Sequence, residues 1–495
     1  MKVLFVDIDT LRPDHMGCYG YSRNTTPNLD NVAAEGVRFT NYYCSDAPCL
    51  PSRAALISGR FGIHNGAVGH GGTAADKRYV GEGRQFRDWT DENNFNNLFR
   101  KAGMYTASIS PFAERHNSWW FNAGFNEIHN FGKGGGERGD EVLPIALDWI
   151  ERNADRENWF LHMHLWDPHT PYRVPLEYGN PFENEPLQNW ITEDVFKLHL
   201  QHTGPHCINE ISMYDDKEND SFPRQPGKVT EYSGLKKLFD GYDTGIHYAD
   251  YIVGQIFDAL RTKGIYEDVA IIVTSDHGEN FGELGIYAEH ATADHGTCHI
   301  PMLIKWPGCK PGHVDGGLHY NLDIVPTISD LLNVLQAESP GKHNEGQWDG
   351  LSFAKTITDC AEEGRDYLVI SQMAHVCQRS ARFADASGDW LYMRTYHDGY
   401  HLFDKEMLYN LRTDVYEEHD IKDQYPEICA KGAKIILDWH DEMMACSASQ
   451  IDPLWTVMAE GGPYHTWNAL PNYLDRLEAT GRSEGAQKLR EKYKV

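Results

Sequence analysis

The sequence predicts an α/β fold: a large mixed, mostly parallel sheet between helices, followed by a smaller C-terminal α+β part with an antiparallel sheet. Three observations predict it. Short apolar runs at 3–8, 105–109, 159–166, 269–273 and 302–306 read as strands buried on both faces. Amphipathic stretches that read as helices separate most of them. Past residue 370 the pattern turns to aromatic alternation, as at 390–396, which suits antiparallel strands with one covered face. With 495 residues the chain exceeds one average domain, and it divides into a principal domain, 1–370, and a C-terminal subdomain, 371–495.

A formal charge of −28 argues against nucleic acid or an anionic membrane as partner, so an anionic ligand must be attracted locally. Ten cysteines follow no CxxC or zinc-type spacing, which points to reduced thiols. Residues 2–6 are too short for a signal-peptide core, and no run approaches the roughly 18 apolar residues of a membrane span. The expected location is cytoplasmic, with the periplasm or exterior as the alternative if a leader has been removed.

The first strand ends in Asp7-Ile8-Asp9-Thr10, at the end of a parallel strand where ligands gather. Asp7 and Asp9 share one face, so only the terminal one need lie in a cleft, as a ligand holder or a cap. A helix and a strand over 27–40 lead to Cys49-Leu50-Pro51-Ser52-Arg53, continuing to Gly59-Arg60. Pro51 suits a first helical position and Gly59 a C-terminal cap, so Cys49 stands at a helix N-terminus. That end favours an anion, with Arg53 and Arg60 as added cations, although Cys49 alone reads equally as a buried thiol.

A helix over 94–102 precedes the 105–109 strand and a loop at 110–116. A helix at 144–152 precedes the 159–166 strand, which runs into Asp167-Pro168-His169-Thr170-Pro171. His162 and His164 alternate within that strand and read as packed, which leaves His169 as the candidate. Residues 172–232 form a polar insertion with 215–221 as its exposed tip. The long helix 235–262 carries an apolar stripe through Tyr248, Ile252, Ile256 and Leu260.

The 269–273 strand ends in Thr274-Ser275-Asp276-His277-Gly278. Alone, Asp276-His277 reads as a capped turn; beside Asp9 on another strand end it reads as a metal site. Glu289, His290, Asp294 and His295 precede the 302–306 strand, and helices follow at 323–335, 426–444 and 483–493.

The stretch Cys49-x-Pro51-Ser52-Arg53-x-x-x-Ile57-Ser58-Gly59-Arg60 resembles the signature C-x-P-S-R-x-x-x-[LI]-[TS]-G-R of the type I sulfatases, in the alkaline phosphatase-like superfamily. Residues 9–15, 167–169, 274–278, 304–308, 322–327 and 408–414 resemble further landmarks in the same order.

The resemblance implies the alkaline phosphatase-like fold and hydrolysis of a sulfate ester; the acidic surface, which disfavours a long polyanion, and the aromatic loop at 119–121 together point to a sulfated mono- or oligosaccharide, such as a glycosaminoglycan fragment. It implies that a maturase converts Cys49 to formylglycine, whose hydrate supplies the nucleophile. Asp9, Asp276, His277 and residue 49 would hold Ca2+, with Mg2+ or Mn2+ as alternatives. Arg53 would fix the hydrate, and His169 would contact the sulfate or protonate the leaving alcohol.

Three departures stand out. Thr10 replaces a second aspartate, and Asp7 lies too far down the strand to replace it. The family's Gly-Lys-x-His element falls near 110–113, where Arg115 and His116 are the substitutes. His290 stands where a lysine is usual, as a sulfate or leaving-group contact. The same nucleophile also serves phosphonate monoester and phosphodiester hydrolases, the alternative reading; a non-catalytic sulfoglycan-binding relative is the remote one. Trp119, Trp120 and Phe121 read either as a sugar-stacking loop or as core. The sequence leaves the oligomeric state open.

Overall fold

The computed structural model describes residues 1–78, 89–188, 190–335, 347–447 and 449–495. Its larger sheet has eight strands in the order His313–Tyr320, Val37–Tyr43, Met302–Lys305, Val269–Thr274, Lys2–Ile8, Trp159–Leu165, Tyr105–Ile109 and Glu127–His129. Met302–Lys305 runs antiparallel to both neighbours, and the other pairs are parallel.

The period of two in the first strand divides the core. Val3 and Phe5 face Phe95, Leu98 and Ile324, while Leu4, Val6 and Ile8 face Leu29, Trp149 and Ile252. Helices therefore cover both faces, which is why the central strands lack polar alternation. Asp7 lies in register with His164 on one side and Thr274 on the other, so three strands end level with one another. Ligand-bearing side chains just beyond those ends must converge.

A second sheet has the order Glu406–Asn410, Gly388–His397, Cys377–Asp385, Tyr367–Gln372 and Asp46–Ala47. It is antiparallel except at its last pair. Its strand Tyr367–Gln372 crosses the 370/371 position, and Asp46–Ala47 comes from the principal domain. Trp390 and Trp439 belong to the same core as Phe5, so the two parts share one hydrophobic interior.

Several expected elements shift. Pro51 is the third residue of the helix Cys49–Ser58, not the first. Phe112–Arg115 forms a short helix within the expected 110–116 loop. Pro144 lies inside Gly139–Asn153, whose first turn carries Asp140 and Glu141. The strand His313–Tyr320 and the helices Pro453–Ala459 and Leu470–Ala479 had no clear sequence signal; the strand is half exposed and carries two glycines.

The 172–232 insertion is not a free excursion. Glu210 accepts from Tyr473 at 2.9 Å, Arg476 Nε at 3.0 Å and Arg482 Nη1 at 2.8 Å, tying the insertion to the C-terminal helices. No described helix is long and apolar enough to cross a membrane.

Candidate active site

The helix Cys49–Ser58 ends at Gly59, whose φ of 67° is a left-handed conformation that glycine adopts without strain. Ser52 fastens its first turn to the sheet: Oγ donates to the Asp276 carbonyl at 2.6 Å, and Asn321 donates back to Ser52 at 3.0 Å. This places Cys49 Sγ 3.1 Å from His277 Nε2 and 4.0 Å from His169 Nε2. Arg60, expected as a second cation here, lies beyond the other end of the helix and does not line the pocket.

Arg53 lies one turn along from Cys49 and points beneath it. Its Nε donates to Asp7 Oδ2 at 2.9 Å, its Nη2 to Asp9 Oδ2 at 3.1 Å and to His164 Nε2 at 2.7 Å, and its Nη1 pairs with Asp276. No hydrogen bond joins Arg53 to Cys49 among these contacts. Arg53 organises the carboxylates under the nucleophile position. His164, expected only as packing, belongs to this network, with Nδ1 placed to donate to Ser110 Oγ at 3.1 Å. Asp7 is a counter-ion of Arg53.

The charges follow from that geometry. Burial opposes ionisation of Asp9, but Arg53 outweighs it and holds the carboxyl well below the usual range. Burial and nearby Asp9 push Asp276 and the Cys49 thiol up, despite the opposing pull of Arg53 on each. Burial, then His290, brings His277 down to about 3, so it presents a neutral imidazole.

Asp9, Cys49, Asp276 and His277 each offer one ligand atom, all within 4.8 Å of one another. Oδ1 of Asp9 is buried and has no hydrogen-bond partner among the described residues. Two carboxylates and a neutral imidazole, with a carboxylate oxygen unsatisfied, fit a divalent cation. Thr10, where a second carboxylate was missed, has φ 58°, a strained region for a β-branched residue, and its buried Oγ1 lacks a partner among the described residues. Its N–H donates to Asp276 Oδ1 at 3.3 Å.

Above Cys49 opens a cavity of about 330 Å³. Arg115, His116, His169 and His290 line it, so the structure gathers every candidate: Asp9, Arg53, Asp276 and His277 below, these four around. Arg115 lies over the Trp166 ring at 4.8 Å. Trp119, Trp120 and Phe121 do not line the cavity; Trp119 is exposed and Phe121 buried, and Phe222 from the insertion stands in the wall instead.

Sequence reasoning missed His70, His206, Glu289, His375 and His465 as lining residues. Only Glu289, beside His290, and His70, in a glycine-rich run, carried any local signal. Glu289 is the hub: its carboxylate lies 2.8 Å from His290, 3.1 Å from His206 and 3.7 Å from His375. Burial opposes its charge, but His290 above all holds it well below the usual carboxylate range. Burial lowers His290, yet Glu289 outweighs this and raises it. Asp294 and His295 lie outside the cavity; Asp294 caps the short helix His295–Cys298.

Comparison with known proteins agrees with this geometry. Residues 2–334 match the family model described as Sulfatase. The chain is 24% identical over 417 residues to N-acetylglucosamine-6-O-sulfatase of Bacteroides thetaiotaomicron, covering 70% of this chain and 71% of that one. In fold it is similar to BT4656, solved in complex with its substrate D-glucosamine-2-N,6-O-disulfate, with a TM-score of 0.66, 18% identity, and 92% and 99% of the two chains covered. It is also similar to the phosphonate monoester hydrolase of Agrobacterium radiobacter, with a TM-score of 0.64, 18% identity, and 89% and 96% covered. The chain therefore belongs to the sulfatase family and is a sulfuric ester hydrolase, for which family membership implies a metal ion and a formylglycine made from a cysteine.

Proposed function

We propose that this enzyme removes sulfate from a single sulfated sugar ring, free or at the end of an oligosaccharide such as a glycosaminoglycan fragment. The observation that carries the proposal is the cavity itself. At about 330 Å³ it lies at the small end of ligand-pocket sizes, is closed on one side by the 172–232 insertion, and has Cys49 in its lining. The sulfated sugars of the relatives named above support the same substrate class.

Residue 49, as formylglycine, is the nucleophile, made by a formylglycine-generating maturase; the cysteine sulfur marks the position of the attacking oxygen. Asp9, Asp276 and His277 would hold Ca2+, with Mg2+ or Mn2+ as alternatives, and the cation would supply charge neutralisation at a sulfate oxygen and a lowered proton affinity at the nucleophile. Arg53 fixes those carboxylates. His169 places its Nδ1 against the Thr170 carbonyl, which leaves the Nε2 lone pair facing residue 49 as a proton acceptor.

His290 is the better acid for the leaving alcohol. Its Nε2 donates to Glu289, and its Nδ1 is buried with no partner among the described residues, free to donate to a substrate oxygen. Arg115 and His116 meet the anionic group at the wall. Ten unpaired cysteines support a cytoplasmic location.

The test compares a panel of sulfated disaccharides and 4-nitrophenyl sulfate with a phosphate diester and a phosphonate ester. Preferred cleavage of a terminal sugar sulfate is expected. Faster turnover of either phosphorus ester would replace the proposal with the phosphonate or phosphodiester hydrolase reading.

A further inference from the structure

We propose that His70, His375 and His465 form a second metal site in the wall of the same cavity, selective for a borderline divalent cation of the zinc type. Each offers a ring nitrogen within 4.8 Å of the other two. They come from three distant segments: the loop after Gly62–Asn65, the turn between strands Tyr367–Gln372 and Cys377–Asp385, and the short turn Tyr464–Thr466. No run of local sequence brings them together; the tertiary fold does.

The meeting point is built. His70 Nδ1 lies 3.0 Å from His465 Nε2, and the rings of His375 and His465 stack at 4.1 Å. His465 N–H donates to the Ala374 carbonyl at 3.2 Å, and His375 N–H to Gln372 Oε1 at 3.1 Å. A Cβ on Gly71 would come within 2.1 Å of the Tyr464 ring, so the His70 loop reaches the His465 turn only because residue 71 is glycine.

A cluster of hydrogen-bonded imidazoles does not fully account for the arrangement, because the buried Nε2 of His70 has no partner among the described residues. Burial lowers the proton affinity of all three rings, so each is neutral with one lone pair, and the His70–His465 contact uses one of these. Nitrogens around a tetrahedral zinc lie about 3.3 Å apart and aim at the ion within their ring planes, so binding requires the His375 and His465 rings, 13° from parallel, to turn toward one another.

The donor sets separate the two sites chemically. Carboxylates at Asp9 and Asp276 suit a hard cation, whereas three imidazoles suit zinc. All three histidines line the cavity, so the remaining coordination position faces it and would take an oxygen donor from the sugar, a hydroxyl or a carboxylate.

The full-length enzyme, equilibrated with Ca2+ and one equivalent of Zn2+, is passed through a desalting column and its metals are counted by mass spectrometry. One zinc per chain is expected in the wild type and in Asp276→Asn, falling at least tenfold in His70→Gln/His465→Gln and in His375→Ala. Co2+ in place of Zn2+ should give the intense visible bands of a four- or five-coordinate nitrogen site. Zinc that washes off the wild type, an equal zinc content in the histidine variants, or the pale spectrum of six-coordinate Co2+ would overturn the proposal. His70→Gln alone, with circular dichroism and retained Ca2+, separates ligand loss from misfolding. Metal content is read without turnover, so this result is independent of which ester the enzyme cleaves.

Discussion

Cys49 Sγ lies 3.1 Å from His277 Nε2, although 228 residues separate them. One side chain stands at a helix N-terminus and the other three residues beyond a strand end; the Ser52 bridge to the Asp276 carbonyl holds the two elements together. Cys49→Ala should leave the fold intact, because among the described residues the side chain hydrogen-bonds only to the two histidines beside it, and lower kcat by about 10⁴ or more. Turnover of 4-nitrophenyl sulfate checks this, with thermal melting as the control.

Arg53→Ala leaves Asp7, Asp9 and Asp276 buried without their shared cation. A loss of about 3–5 kcal/mol in urea unfolding is expected. Added Ca2+ should restore part of it, by replacing positive charge among the same carboxylates. Arg53→Lys should fall between the two, since lysine keeps the charge and loses the fork.

His290→Ala should lower kcat by about 10² or more on an alkyl sulfate, whose leaving alcohol needs a proton, and far less on 4-nitrophenyl sulfate. Glu289 raises the proton affinity of His290, so the acid is present at low pH and lost as pH rises through its raised value. Glu289→Gln should therefore move the alkaline fall of kcat/KM to lower pH. An unmoved alkaline limb would remove His290 from this role.

A pH-dependent contribution to stability lies away from the site, at His64. Its Nδ1 lies 2.7 Å from Asp349 and its Nε2 2.9 Å from the Met443 carbonyl, an arrangement that only the doubly protonated ring satisfies. Burial lowers its proton affinity, but Asp349 outweighs this and raises it from 6.5 to about 10. The stabilisation is complete below pH 6.5 and is lost as pH rises toward 10. Against wild type, His64→Gln should lose about 3 kcal/mol at pH 6 and show a flatter denaturation midpoint between pH 6.5 and 10.

Strong local patterns were legible. The helix Leu235–Thr262 and the strand Tyr105–Ile109 follow the sequence boundaries residue for residue, because stripe period and apolar continuity are local properties. The half-exposed strand His313–Tyr320 gave no such pattern. His162 and His164 looked alike in sequence, yet His164 bonds to Arg53 and His162 does not; the difference is where Arg53 reaches.

By itself the sequence determined the α/β class, the Cys49 helix and the strand-end candidates Asp9, Asp276 and His277. Each is written in a short stretch whose meaning depends on spacing along the chain. Only the tertiary structure decided that Arg53 serves the carboxylates, that Glu289 joins His206, His290 and His375, and that the insertion walls the cavity. Those relations depend on side chains converging from segments hundreds of residues apart, where packing, and no local periodicity, sets the distance.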